Sequence, residues 1–503
     1  MGVRAELNHT TTTQVQGWKD TILDYCAEFN GHPDSDCIVD PASVWQMACG
    51  YLGNHAADQK KLSRMLETYQ RECDREVRGE DVLLSDDPRD EAERNRLFDE
   101  KLQERFEEAG GKECWVSLPP AERLRWEKEV VQEVQIALGE QAYQRLSPEE
   151  KKDADFWAYT RCAMHKDLNA TKGAAERMAR SWEEEKRTPA PIELLSKTQV
   201  TAAEPDRAPK KGKRKRLPER GGVKLTSLLG TLVKNKNPNK GHQARFRVYC
   251  RKILGYEILF PDTSNNRYQS HGNAATEIVH HRQLYINFLL KVQDQKATTG
   301  GPNHMEENIL HGLMDDSTFT ELQVLSLYSQ AISLPLAQLV RVPYHQSRNG
   351  LDLGPEFDRL LKHLESIAND PDILIGPNAS WITGTFDGQP WYNSDAITTI
   401  LRGRKKYPHL RHTLIAFFEG ALDTWKTFTR DILANPKLSA ATPEQRYMAY
   451  RRAANDLNEG SLALMRQTFR DFPRITFGQL HARLMCRYSP VCRLYNTLIA
   501  IPG

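Results

Sequence analysis

The stretch LQVLSLYSQAISLPLAQLV, residues 322–340, runs nineteen positions without a charged side chain. A segment this apolar must leave water, either by spanning a bilayer or by lying at the centre of a folded core. Three Ser, three Gln and Pro335 stand inside it, and polar groups are costly in hydrocarbon. Thr320 followed by Gln323 offers the capping-box start that soluble helices use. The expectation is a buried core helix, within a C-terminal half large enough to surround it.

The rest of that half supplies such surroundings. Ile278, Leu284, Tyr285, Phe288 and Val292 fall on one side of a helix over 273–293. Phe357, Leu360, Leu361, Leu364 and Ile367 repeat at three-four spacing over 355–369, the mark of an amphipathic helix, and Asn369-Asp-Pro ends it. Residues 411–433 read as a central helix, and Thr476 with Gln479 opens a last one. Phe246, Val248 and Cys250 alternate with charges, so 245–260 reads as short extended pieces. Nowhere does a repeated strand–helix–strand pattern appear.

The N-terminal part reads as helical too, over 14–30, 43–77, 88–109 and 119–137. Ser147-Pro148-Glu149-Glu150 starts a further helix that runs towards Glu185. Between the halves, Pro stands at 189, 191, 205, 209 and 218 with no sustained periodicity. Such a segment buries too little apolar surface to offset chain entropy. The fold class is therefore mostly α, two helical regions joined by a disordered basic linker, with few or no strands. The divisions fall at 1–187, 188–222 and 223–503.

Charge is unevenly spread although the formal total is only +2. From Glu67 to Glu108, 16 acids stand against 8 bases; from Arg207 to Lys252, 16 bases stand against the single acid Glu219. Lys210, Lys211, Lys213, Arg214, Lys215 and Arg216 crowd into seven positions. A cluster of that density reads as a nuclear-import signal or a nucleic-acid contact. Arg245, Arg247, Arg251 and Lys252 continue the charge with Phe246 and Tyr249 interleaved. An arm of this type grips phosphates without reading bases.

Other candidate sites are weaker. Asp352, Asp387 and Glu459 are the carboxylates from which a two-metal nuclease site would be built, although Asn455, Asp456 and Asn458 also suit plain helix capping. His271, His280, His281, His304 and His311, with Glu306 or Glu307, lack the tight paired spacing of zinc ligands. The set Cys26, His32, Cys37, Cys49 and His55 is spaced more widely than common fingers. Nine Cys without a CxxC pair predict a reducing compartment and no disulfide framework. MGVRAELNHTTTTQ carries no secretory h-region, and Glu6 stands where a myristoylation signal wants Ser or Thr. Walker, GxGxxG, GxSxG and HExxH motifs are all missing from the sequence.

The ordered series RYQSHGNAATEIVHHRQLYINFLLKVQDQK, NHMEENILHGL, TELQVLSLYSQAIS, LDLGPEF, NDPDILIGPNA, PHLRHTLIAFFEGALDTWKTFT and NDLNEGSLALMRQTFRDFP resembles a group of uncharacterised, transposon-associated proteins multiplied in mushroom-forming (basidiomycete) fungi. The resemblance covers about 265–488. It implies a mobile-element history and supplies no activity; members of that group continue past the NDLNEG segment. LGEQAYQRLSPEEKKDADFWAYTRCAMHKDLN, 138–169, is faintly similar to the later helices of an HMG box, within a possible HMG-like segment of 119–187. Tyr143 lies one place beyond the box's core Trp, and the basic N-terminal arm is missing.

These features predict a nuclear, non-enzymatic protein derived from a mobile element. It would bind nucleic acid non-specifically and an import receptor, need no cofactor or metal, and make no membrane contact. A transposase-like metal-dependent nuclease, or its inactive remnant, is one alternative; a helical scaffold with no specific nucleic-acid role is the other.

Overall fold

The computed structural model describes residues 10–33, 35–53, 57–195, 220–237, 241–263, 269–296, 301–342 and 348–488. These are mostly α-helical, with two short strands. The chain divides into two compact units: Met1–Arg161, Pro436–Arg451 and Asn455–Gly503 form the first, and Cys162–Asn435 with Arg452–Ala454 the second.

The first unit begins with α1 (Thr11–Asn30), α2 (Pro41–Gln46), β1 (Gly50–Gly53), α3 (Ala57–Leu83), α4 (Pro88–Glu108), α5 (Lys112–Ser117), α6 (Pro120–Arg145), α7 (Pro148–Ala154) and β2 (Ala158–Arg161). Short polar side chains set the helix starts. Thr10, Asp40 and Asp87 each accept a hydrogen bond from a first-turn N–H, and Ser147 with Glu150 closes a reciprocal capping box on α7. Helices α3 and α6 cross closely at Gly79 and Gly139. A Cβ on either would run into a backbone carbonyl of the other helix, at Gln135 and Arg75 respectively.

Two apolar clusters are buried in this unit. One cluster holds Val15, Trp45, Leu62, Leu66, Cys73 and Trp157; another holds Leu97, Val130, Val134 and Leu138. The helix expected from Ser147 towards Glu185 is interrupted. Burial of Ala158 and Thr160 on alternate positions makes 158–161 a strand, paired in parallel with β1 from Gly50–Ala158 to Gly53–Arg161. Tyr159 stacks on Tyr51 across the pair at 6.4 Å.

In the second unit follow α8 (Ala163–Glu184), α9 (Gly221–Lys234), α10 (Gln243–Leu254), α11 (Ser270–Lys296, kinked at His281), α12 (His304–Met314) and α13 (Asp316–Tyr328). A π-helical turn, Ser329–Ser333, leads into α14 (Leu334–Val340); α15 (Gly354–Asn369), α16 (Ser394–Gly403), α17 (Leu410–Phe428) and α18 (Arg430–Leu433) come next, with short turns between. The charge-free run is the core element its composition predicts: every residue from Ser317 to Ser333 is buried. Its start differs from the expected one. Asp315 caps α13 by accepting from the Thr318 N–H at 2.7 Å, while Thr320 lies a turn inside and donates to the Asp316 carbonyl at 2.8 Å.

Two further expectations change. Residues 243–254 are helical, because Phe246 and Cys250, four apart, are the buried pair; their alternation with charges in sequence is incidental to the fold. The units also part between Arg161 and Cys162, not near 187, since α8 packs along α17. Both flanks of the basic segment lie in the second unit: Glu193 pairs with Arg220 as an antiparallel bridge, and His304 Nε2 and Asn308 Nδ2 each donate to the Leu195 carbonyl at 2.7 Å.

The chain then returns to the first unit with α19 (Pro443–Met448), α20 (Asp456–Asp471) and α21 (Phe477–Tyr488). Thr476 and Gln479 close the expected capping box on α21. Arg451 fastens this return. Its buried guanidinium donates to the Tyr51 and Cys49 carbonyls at 2.9 and 3.1 Å, and to that of Ala158.

Candidate nucleic-acid interface

Helix α10 carries Arg245, Arg247, Arg251 and Lys252, and its periodicity sorts the charges. Arg245, Val248, Tyr249 and Lys252 follow the i, i+3, i+4, i+7 spacing that lines one helix face. On α11, Phe288, Lys291, Val292 and Gln295 follow the same spacing. These two stripes, with Ala244, wall a groove of about 440 Å³.

The helices meet through aromatic rings. Phe246 stacks on Tyr285 at 5.1 Å and meets Phe288 edge-on at 5.2 Å, and Tyr249 tilts against Phe288 at 5.4 Å. The Lys291 ammonium lies 5.7 Å from the centre of the Tyr249 ring, within cation–π range. Val248 keeps 58 % of its surface exposed beside these rings.

The four cations expected on this helix divide into two pairs. Arg247 and Arg251, one turn apart, both face Glu257, at 3.7 and 3.2 Å. Arg245 and Lys252, on the groove face, have no acidic partner among the described residues, and both are exposed. Lys291 is the contribution that sequence reasoning missed. It stands alone in its own sequence neighbourhood, and only a helical reading of 243–254 would have brought a cationic helix opposite it. Lys210, Lys211, Lys213, Arg214, Lys215 and Arg216 lie outside the described residues.

The three carboxylates expected for metal-assisted chemistry stand on separate elements. Asp352 closes a 3-10 turn, Gly350–Asp352. Asp387 accepts from the Gln389 N–H at 3.1 Å in a turn. Glu459 sits in the first turn of α20, in the other unit. Among the described residues no group of three His, Cys, Asp or Glu side chains is placed to hold a metal ion.

The histidines serve local roles. His271 Nδ1 is 2.8 Å from the Thr226 hydroxyl, and burial pushes its pKa down to about 4, with Lys172 adding to the effect. His280 and His281 meet ring to ring at the kink of α11. Glu306 binds His242 and Lys296, each at 2.7 Å, and shares a capping box with Asn303, while His311 lies in the last turn of α12. Cys26 is buried, Cys49 half-buried and Cys37 exposed; His55 is outside the described residues.

Two strongly shifted carboxyls lie in the core of the second unit. Burial pushes the Asp167 carboxyl up to about 6, against the hydrogen bonds from Ser333 and Tyr328 that lower it. Those hydroxyls donate to Oδ1 at 2.9 and 3.0 Å, and the Trp425 indole donates to the Tyr328 oxygen at 3.1 Å. Burial likewise pushes Glu321 up to about 7, although it accepts from the Gly222 N–H at 2.8 Å and the Trp182 indole at 3.0 Å. Gly221 makes room for that carboxylate: its φ of +76° disfavours a side chain, and a Cβ there would strike Oε2. Lys166 and Asp431 form a fully enclosed ion pair. These groups tie α8, α9, α13, α17 and α18 together.

No helix among the described residues is long and apolar enough to cross a membrane. No family model, curated protein or solved structure matches this chain.

Proposed function

We propose that this protein binds nucleic acid in the nucleus, through phosphate contacts that do not read sequence. The single observation that carries the reading is the pair Arg245 and Lys252, exposed on the groove face of α10 with no acidic partner among the described residues. A cation already paired must break one contact to make another, whereas these two are available to phosphate oxygens without that cost. Lys291 extends the positive rim across the groove.

The cluster Lys210–Arg216 supports import into the nucleus and adds charge to the same binding activity. The residues that flank this segment, Glu193 and Arg220, pair within the second unit, the unit that carries α10. The likeness of 265–488 to transposon-associated fungal proteins makes a mobile-element origin part of the proposal, and no catalytic step is assigned.

Localisation of the tagged full chain, beside gel-shift titration of the purified protein, tests the reading. Changing Lys210–Arg216 to Ala is expected to leave the protein in the cytoplasm. Arg245→Ala with Lys252→Ala is expected to weaken binding to duplex and single-stranded DNA alike. Unchanged binding and nuclear residence in these variants would remove the proposal.

A further inference from the structure

We infer that the groove between α10 and α11 takes an unstacked base of a single strand, with Tyr249 as the stacking surface. The inference rests on the nucleic-acid reading above and sharpens it. Phosphate contact alone requires only accessible cations; it gives no use to apolar groups between them. Here the lining joins Tyr249, Phe288, Val248 and Val292 to the cations Arg245, Lys252 and Lys291.

That combination matches a ligand that is flat and apolar-faced in one part and anionic a few ångströms away. A nucleotide in a single strand has both parts exposed, whereas duplex bases are already stacked and paired. Sequence-tolerant single-strand sites join a positive groove to aromatic side chains in this way. The Lys291 ammonium lies over the Tyr249 ring at 5.7 Å, on a stem able to swing towards phosphate when a base covers the ring.

An anionic membrane surface would also meet cations beside exposed apolar side chains. Two observations favour the strand. The groove is concave, and its aromatic group is a half-buried ring held in place by Phe288, whereas an interfacial helix presents a projecting apolar face.

The test uses the full chain and three probes: an oligothymidine of roughly 12 nucleotides, the same sequence as a duplex, and phosphatidylserine vesicles. Fluorescence anisotropy of wild type, Tyr249→Phe and Tyr249→Ala is the first readout. The inference expects Tyr249→Ala to lose about tenfold in single-strand affinity, with duplex affinity within about twofold and Tyr249→Phe close to wild type. Photocrosslinking of wild type to an iododeoxyuridine-substituted strand, with peptide mapping, is the second, and does not depend on the variants folding. The adduct is expected on Tyr249. Equal loss for strand and duplex, or an adduct elsewhere, overturns the base-stacking inference and leaves the nucleic-acid reading in place. Binding to vesicles that Tyr249→Ala weakens, without strand binding, overturns both.

Discussion

Glu193 and Arg220 pair backbone to backbone as an antiparallel bridge, and the Arg220 guanidinium also donates to Glu183 Oε1 at 2.7 Å. Glu193 and Arg220, on the two sides of the basic segment, therefore lie side by side in the second unit. In sequence, Pro spacing and charge make 188–222 read as a connection between two bodies. In the structure its flanks share one body, and the first unit is joined to the second at Arg161/Cys162 and again near residues 435 and 452.

Replacing residues 196–219 by a short Gly-Ser turn is accordingly expected to leave the second unit folded. The ends are already adjacent, and closing a shorter loop changes the entropy only slightly. Thermal unfolding should move by less than about 4 °C, while nuclear import is lost. Unfolding of the second unit would show that the segment is part of the core.

Asp167 makes stability depend on pH. Its folded value of about 6 lies above the unfolded value of about 3.9. Between these values the native state holds a proton that the unfolded chain has released, so stability falls as pH rises through the window and levels off above it. Asp167→Asn keeps an acceptor for Tyr328 and Ser333 and removes the ionisation. Its stability relative to wild type should rise by about 1–3 kcal/mol between pH 4 and pH 7, measured by urea unfolding. Asp167→Ala leaves both hydroxyls without their acceptor and should destabilise at every pH.

The ion pair of Lys166 with Asp431 is enclosed, and the ammonium also donates to the Phe428 carbonyl at 2.7 Å. Removing one partner strands a buried charge. Lys166→Met alone should cost about 3–5 kcal/mol. Joined with Asp431→Leu it should recover most of that loss, a non-additivity that a double-mutant cycle reads directly.

Arg451 holds three carbonyls at the β1–β2 pair with one planar fork. Lysine offers a point charge in place of that fork. Arg451→Lys should lower the stability of the first unit by roughly 3 kcal/mol and speed hydrogen exchange at Tyr51 and Ala158. Unchanged exchange there would mean the return segment is fastened by other contacts.

Strong periodicity made much of the fold legible. The stripe Phe357, Leu360, Leu364 and Ile367 gave α15 almost to the residue, and the charge-free run gave the buried α13. What stayed hidden depended on partners far away in sequence. Ala158 and Thr160 form a strand because β1, a hundred residues earlier, pairs with them, and Arg451 matters because of three carbonyls that no local pattern announces. The groove failed for a different reason. Phe246, Val248 and Cys250 satisfy a strand period and Arg245, Val248, Tyr249 and Lys252 a helical one, and within a dozen residues only packing against α11 decides between them.

The salt dependence of DNA binding is the measurement closest to the central claim. For the full chain, the logarithm of the association constant is expected to fall linearly with the logarithm of salt concentration, and Arg245→Ala with Lys252→Ala should make that slope shallower by about 2. A slope identical in wild type and double variant, or binding indifferent to salt, would contradict the assignment of this helix face to phosphate contact.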